Sequence, residues 1–117
     1  MKISELAEKT KVSSYRLRRY EALGLIKSTR TANGYRVFSE AVKREVIFIA
    51  MARECGFSMP FIAENLPKFR NGRLTIKEMI DATKERIKEV EAVIRTQQAL
   101  KKKLKEHIQW FQKKESK

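Results

Sequence analysis

Between Thr75 and Phe111 the chain holds neither glycine nor proline, and no other feature restricts its fold so strongly. Thr75-Ile76-Lys77-Glu78 matches a capping box, in which a hydroxyl and a carboxylate satisfy amides at the start of a helix. From Ile76 a series of positions spaced by fours and threes runs to Phe111: Ile76, Ile80, Thr83, Ile87, Val90, Ile94, Gln97, Lys101, Leu104, Ile108 and Phe111. Eight of these eleven are apolar, which is a coiled-coil seam interrupted by polar residues. Val93 and Leu100 widen it beside the interruptions. A helix of this span would be about 54 Å long. A chain of 117 residues cannot cover such a stripe by itself. The expected cover is a second copy, with Ile80, Ile87, Val90, Ile94, Leu104, Ile108 and Phe111 at the interface. The alternative is a helix that breaks and folds back over its own head.

The length allows one compact domain in front of that helix. The boundary is expected at 72, giving a head over residues 1–72 and a dimerisation helix with a short basic tail over 73–117. The net charge is +13. Residues 1–40 contribute +5, residues 41–83 contribute +2 and residues 84–117 contribute +6. Two basic zones flank a more balanced middle, and a polyanion is the natural partner. The single cysteine, Cys55, excludes an intrachain disulfide. No apolar run approaches the roughly 20 residues that span a bilayer, and the N-terminus lacks the apolar core of a signal peptide. These features fit a cytoplasmic protein that does not enter membranes.

The head reads as short helices around a hairpin. Ser4 is a candidate cap for a first helix ending near Thr10, with Leu6 and Ala7 facing inward. Ser13 is the cap candidate for a second. There Leu17, Tyr20 and Leu23 form an apolar side, and Tyr15, Arg18 and Ala22 fall opposite, with Ser14 and Arg19 at the edges. Arg16 falls toward the apolar side by angle, but its long stem can carry the charge outward. Gly24 is the expected stop. Three arginines within four positions repel one another, which favours an anionic partner. Asn33-Gly34, with both residues suited to positive φ, marks a tight turn between two short strands over residues 27–38. Ser39 caps a third helix to about Glu54, with Val42, Val46, Ile49 and Ala50 inward. Ser58 caps a fourth, which Pro67 should end or kink.

A basic helix followed at once by a basic hairpin is the outline of a winged helix-turn-helix DNA reader. The expected fold is therefore mainly α, with a small β-hairpin wing and a long C-terminal helix. In detail the chain resembles the MerR family of bacterial transcription regulators. The likeness rests on Val12-Ser13, Leu17-Arg18, Tyr20-Glu21, Gly24-Leu25-Ile26, Arg30, Gly34-Tyr35-Arg36, Phe38, Phe48-Ile49, Arg53 and Gly56-Phe57-Ser58, in that order. The resemblance implies a homodimer joined by antiparallel pairing of the long helix. It implies binding to an inverted repeat in double-stranded promoter DNA. It also implies control of RNA polymerase indirectly, by bending and untwisting an over-long promoter spacer. Carried over, Arg18, Tyr20 and Arg36 would contact phosphates. Ser14, Tyr15, Arg16 and Arg19 would lie on or beside the groove face. Tyr35 and Phe38 would orient the wing, and Arg30 and Tyr35 would count among the DNA-binding residues. Arg19, Arg16, Lys27-Ser28 and Lys11 depart from the family pattern, where an aromatic, a threonine, a proline and a glycine are common.

Sensing is less defined. Metal sensors of this kind need two or more thiolates near the end of the long helix, and no cysteine follows Cys55. An iron–sulfur cluster needs about four cysteines. No metal or cofactor is expected, and an effector, if one acts, would be a small organic molecule or a protein acting near Trp110 and Phe111. Cys55 is expected to be a buried structural thiol; the alternative is a redox or aldehyde switch. No catalytic residues stand out: there is no Ser/His/Asp set and no phosphate-binding glycine loop, so an enzyme is not expected. The other readings are an architectural or excisionase-like DNA-bending protein without sensing, and a module that binds acidic proteins.

Overall fold

The computed structural model of the chain describes residues 1–116. The chain forms two compact units, Met1–Ile76 and a second from Lys77 onward. The head contains α1 (Ile3–Thr10), α2 (Ser14–Ala22), β1 (Thr29–Arg30), β2 (Arg36–Val37), α3 (Glu40–Glu54) and α4 (Met59–Arg70). The long helix is α5 (Ile76–Glu115). The fold is mainly helical, with one two-stranded hairpin.

Serines start three of the head helices. The hydroxyls of Ser13, Ser39 and Ser58 accept from the amides of Arg16, Val42 and Phe61 at 3.1, 3.2 and 3.2 Å. Each such cap stabilises its helix by about 1 kcal/mol. The first helix departs from expectation. Lys2, not Ser4, holds the cap position, and no side chain caps it. Ile3 packs against the core, which draws the helix start ahead of Ser4.

Gly24 ends α2 at φ +77°, a conformation that costs glycine nothing. The amides of Gly24 and Leu25 reach back to the carbonyls of Glu21 and Tyr20, a Schellman motif. Gly56 and Gly72 close α3 and α4 with the same pair of bonds. The turn at Gly24 also corrects the expected placement of Leu23, which is 56% exposed. The helix has already ended, and Leu25 and Ile26 enter the core in its place. Pro67 does not end α4: the helix continues to Arg70 with the proline inside it. Leu66 is buried beside it and the Phe69 ring stacks on Phe48 at 4.6 Å. This packing offsets the roughly 3 kcal/mol that an interior proline costs.

The core is a single cluster in which Leu6, Leu17, Ile26, Phe38, Val46, Ile49, Ile62 and Leu66 are shut off from solvent. It draws on every head helix and on the residue after the hairpin. One charge lies inside: Glu45 is buried and accepts from Arg70 Nε at 2.5 Å, while Arg70 Nη2 also donates to the Leu25 carbonyl at 3.1 Å. The arginine thus ties α4 to α3 and to the segment after α2. Cys55 is not the buried thiol expected from the sequence. It is exposed at the C-cap of α3, beyond Ala52, the last buried residue of that helix.

α5 differs in kind. None of its described residues is buried. Ile80, Ile87, Val90, Ile94, Leu104, Ile108 and Phe111 are all exposed. Its ion pairs, Arg86–Glu89 at 2.9 Å and Lys88–Glu85 at 3.2 Å, span three residues along the surface and contribute a few tenths of a kcal/mol each at most. Among the described residues no helix is long and apolar enough to cross a membrane.

Candidate nucleic-acid interface

The spacing of Leu17 and Tyr20 fixes how α2 sits. Both turn into the core, so the opposite face must be solvated. That face carries Tyr15, which is 74% exposed, together with Arg18 and Arg19, both exposed, and the half-buried Ser14, while Arg16, also exposed, lies one turn from Tyr20 on the other side. Among the described residues the side chains of these three arginines make no hydrogen bond and no ion pair. Three uncompensated guanidinium groups on nine residues of helix form a concentrated positive field. Tyr20 lies differently from its neighbours. It is 4% exposed, and its hydroxyl is enclosed without a hydrogen-bond partner.

The wing follows at once. β1 and β2 pair antiparallel, Thr29 with Val37 and Arg30 with Arg36. The Thr31 carbonyl accepts from the Gly34 amide, and the Thr31 amide donates to the Tyr35 carbonyl, both at 2.9 Å. Only Gly34, at φ +81°, has positive φ here; Asn33 does not. The turn is thus a three-residue loop with a glycine bulge, not a two-residue turn with two left-handed residues. Arg30 Nη1 donates to the Gly34 carbonyl at 2.8 Å, so this arginine braces the turn. Tyr35 stands exposed at its base.

Helix and wing are joined by Glu21. One carboxylate oxygen accepts from the Ser28 hydroxyl, and the other accepts from Arg36 Nε at 2.7 Å. The Ser28 hydrogen bond, followed by that from Arg36, holds the Glu21 carboxyl below the usual carboxylate range. Arg36 is about 29% exposed in its side chain, so its guanidinium is partly committed to this bridge and partly open to solvent. The sequence pointed to Arg36 but not to this role for Glu21. The only signal was one acid inside an otherwise basic segment, fifteen residues from the arginine it holds. No group of three or more His, Cys, Asp or Glu that could hold a metal ion occurs among the described residues.

Residues 2–38 match the model of the MerR family regulatory proteins, and residues 43–107 match the model described as MerR, DNA binding. The chain is 34% identical over 106 residues to the transcriptional regulator HmrR of Sinorhizobium medicae, covering 90% of this chain and 72% of that one. It is 30% identical over 105 residues to the transcriptional regulator CueR of Salmonella typhi, covering 89% and 76%. Among solved structures, HiNmlR is a MerR family regulator lacking the sensor domain, bound to promoter DNA. It superposes with a TM-score of 0.62 at 25% identity, covering 80% of this chain and 72% of that one. With a basic helix, an adjoining wing and family models that together span both units, the chain belongs to the MerR family of DNA-binding regulatory proteins.

Proposed function

We propose that this protein binds an inverted repeat in promoter DNA as a homodimer and regulates transcription by bending and untwisting the DNA. The observation that carries the reading is α2, where three exposed arginines with no partner among the described residues stand beside a wing pinned by Glu21 and Arg36. In this reading Ser14, Tyr15, Arg16 and Arg19 face the groove. Arg18, Tyr20 and Arg36 hold phosphates, and Arg30 and Tyr35 shape the wing. Residues 1–72 form the reading head and residues 73–117 the dimerisation segment. The unburied seam of α5 supports self-association, since an apolar stripe of that length is stabilised by removal from water. Charge favours an antiparallel pair. Residues 77–93 carry one more acid than base, whereas residues 94–116 are strongly basic, and a parallel pair would set the basic halves together.

The protein acts in the cytoplasm, and RNA polymerase responds to the altered promoter geometry. Any effector acts near Trp110 and Phe111, whose rings meet edge to face at 5.3 Å. Footprinting over the region upstream of the chain's own gene tests the reading. The expected result is protection of an inverted repeat inside an over-long promoter spacer, with bent-DNA mobility in permuted fragments. Protection without any bend would reject the mechanism, and absence of protection on any promoter fragment would reject the function.

A further inference from the structure

The seam does not use the whole of α5. Through its C-terminal half, at about 100° per residue, Leu104, Ile108 and Phe111 fall on one side. Lys102, Glu106, Trp110 and Lys113 fall on the other, with Lys103 and Lys114 at its edges. Trp110 stands about 160° around the helix from Ile108. A second copy that covers the seam therefore leaves Trp110 in water.

Two observations mark this outward face. Trp110, the single tryptophan of the chain, is 56% exposed. Its ring lies against Phe111 and carries the Lys114 ammonium 5.3 Å from its centroid. With Lys113, Lys114 and Ser116 it lines a cleft of about 350 Å³. The second observation is charge. The four lysines of the face are exposed, and among the described residues none of them pairs with an acid. Glu106 is the one acid on that side. A large apolar anchor among unpaired ammonium groups has the composition of a binding hot spot with a charged rim. It is complementary to a surface that carries acids around an apolar centre.

We infer that this face docks an acidic segment of another protein. An apolar side chain of that segment rests against Trp110, and its carboxylates meet Lys102, Lys103, Lys113 and Lys114. The inference deepens the reading above that an effector acts near Trp110, and it rests on the dimer seam of that reading. Other occupants fit poorly. The backbone of a DNA duplex would engage the lysines but offers the indole no apolar surface. A helix binds an anionic bilayer through a continuous apolar face, and that face of α5 lies in the seam. A second copy carries the same positive face and is repelled from it.

The test uses the full chain with a DNA duplex added first, in excess, so that the basic head is occupied. The probe is a synthetic helical peptide with glutamates around a leucine and phenylalanine centre. The controls are the same peptide with lysine for glutamate, and polyglutamate. Fluorescence of Trp110 reports on its own surroundings. The acidic peptide should move the emission to the blue, polyglutamate should bind more weakly without that shift, and the lysine peptide should not bind. With a labelled acidic peptide read by anisotropy, Trp110→Ala should weaken binding about tenfold. Lys113→Gln combined with Lys114→Gln should weaken it several-fold. Dimer mass in light scattering and the DNA salt slope should stay as in the unaltered protein. Peptide binding that Trp110→Ala leaves unchanged overturns the inference. So does a blue shift caused by the duplex itself or by vesicles of anionic phospholipid, since the face would then take nucleic acid or a bilayer. Loss of the dimer in Trp110→Ala would return the residue to the seam and also overturn it. If the unaltered protein is a monomer, the dimer reading has failed and the outward face falls with it. If it is a dimer that binds duplex but no acidic peptide, only the docking face has failed.

Discussion

The head and the long helix use the same kinds of apolar residue to opposite ends. In the head, Leu17, Ile26, Ile49 and Ile62 are buried within one chain. In α5, Ile80, Ile87, Ile94 and Ile108 are about half exposed, and no residue of that helix is buried. Burial of one such side chain contributes roughly 1.5–3 kcal/mol. The head obtains that contribution from its own chain. α5 obtains it only from something else, and its surface ion pairs cannot stand in for it. A difference of this kind predicts two units with different sources of stability, one internal and one dependent on concentration.

The sharpest way to break the comparison is at the seam. Replacing Ile87 and Ile94 with Asp should convert a dimer to a monomer in light scattering, because paired charges would face each other in an apolar interface. The melting of the head should survive. A monomer in the unaltered protein at micromolar concentration would remove the basis of the contrast. The converse change is Leu17→Ala, which should destabilise the head by about 2–5 kcal/mol while leaving the dimer intact in sedimentation. Loss of both together would show that the units do not stand apart.

Smaller effects probe the basic face. Arg18→Ala should reduce the DNA salt slope by about one per head and weaken binding on all sequences alike. An unchanged slope would remove Arg18 from the contacts. Glu21→Gln tests the bridge to the wing. The folded-state pKa of Glu21 is lowered, so its contribution to stability is present above the ordinary carboxylate range. It is lost as pH falls through the lowered value. The gap in melting temperature between the unaltered protein and Glu21→Gln should therefore be full at neutral pH and close in acid. A gap that widens on acidification contradicts the bridge. The smallest expected effect is that of Cys55→Ser. DNA binding should persist, with and without chelators, and promoter activation that responds to oxidants and vanishes in this variant would make the thiol the switch.

What could be read in the sequence was what depends on near neighbours. Ser13, Ser39 and Ser58 cap the helices they precede because the bond spans three residues. The break-free run from Ile76 specified α5 for the same reason. The departures came where distant packing decides. Ser4 lost its cap position to the packing of Ile3. Pro67 stayed helical because Leu66 and Phe69 are anchored from another helix. Leu23 continues the spacing of Leu17 and Tyr20, and Cys55 is a residue type usually buried, but both sit at the C-caps of their helices. In the candidate site, the residue types of α2 and the wing were legible from charge and turn chemistry. The Glu21–Arg36 bridge was not, because it joins positions far apart in the chain.

Gly24 and Gly34 offer an internal calibration of a quantity that is rarely isolated. A Cβ added at either would meet no atom within 4 Å beyond its chain neighbours, while φ is +77° and +81°. Replacement by alanine should therefore cost nearly the same at both, about 1–2 kcal/mol, set by handedness alone. Asparagine should cost less. The two positions would then act as a ruler for the chirality of the polypeptide, read where the first side-chain atom meets nothing.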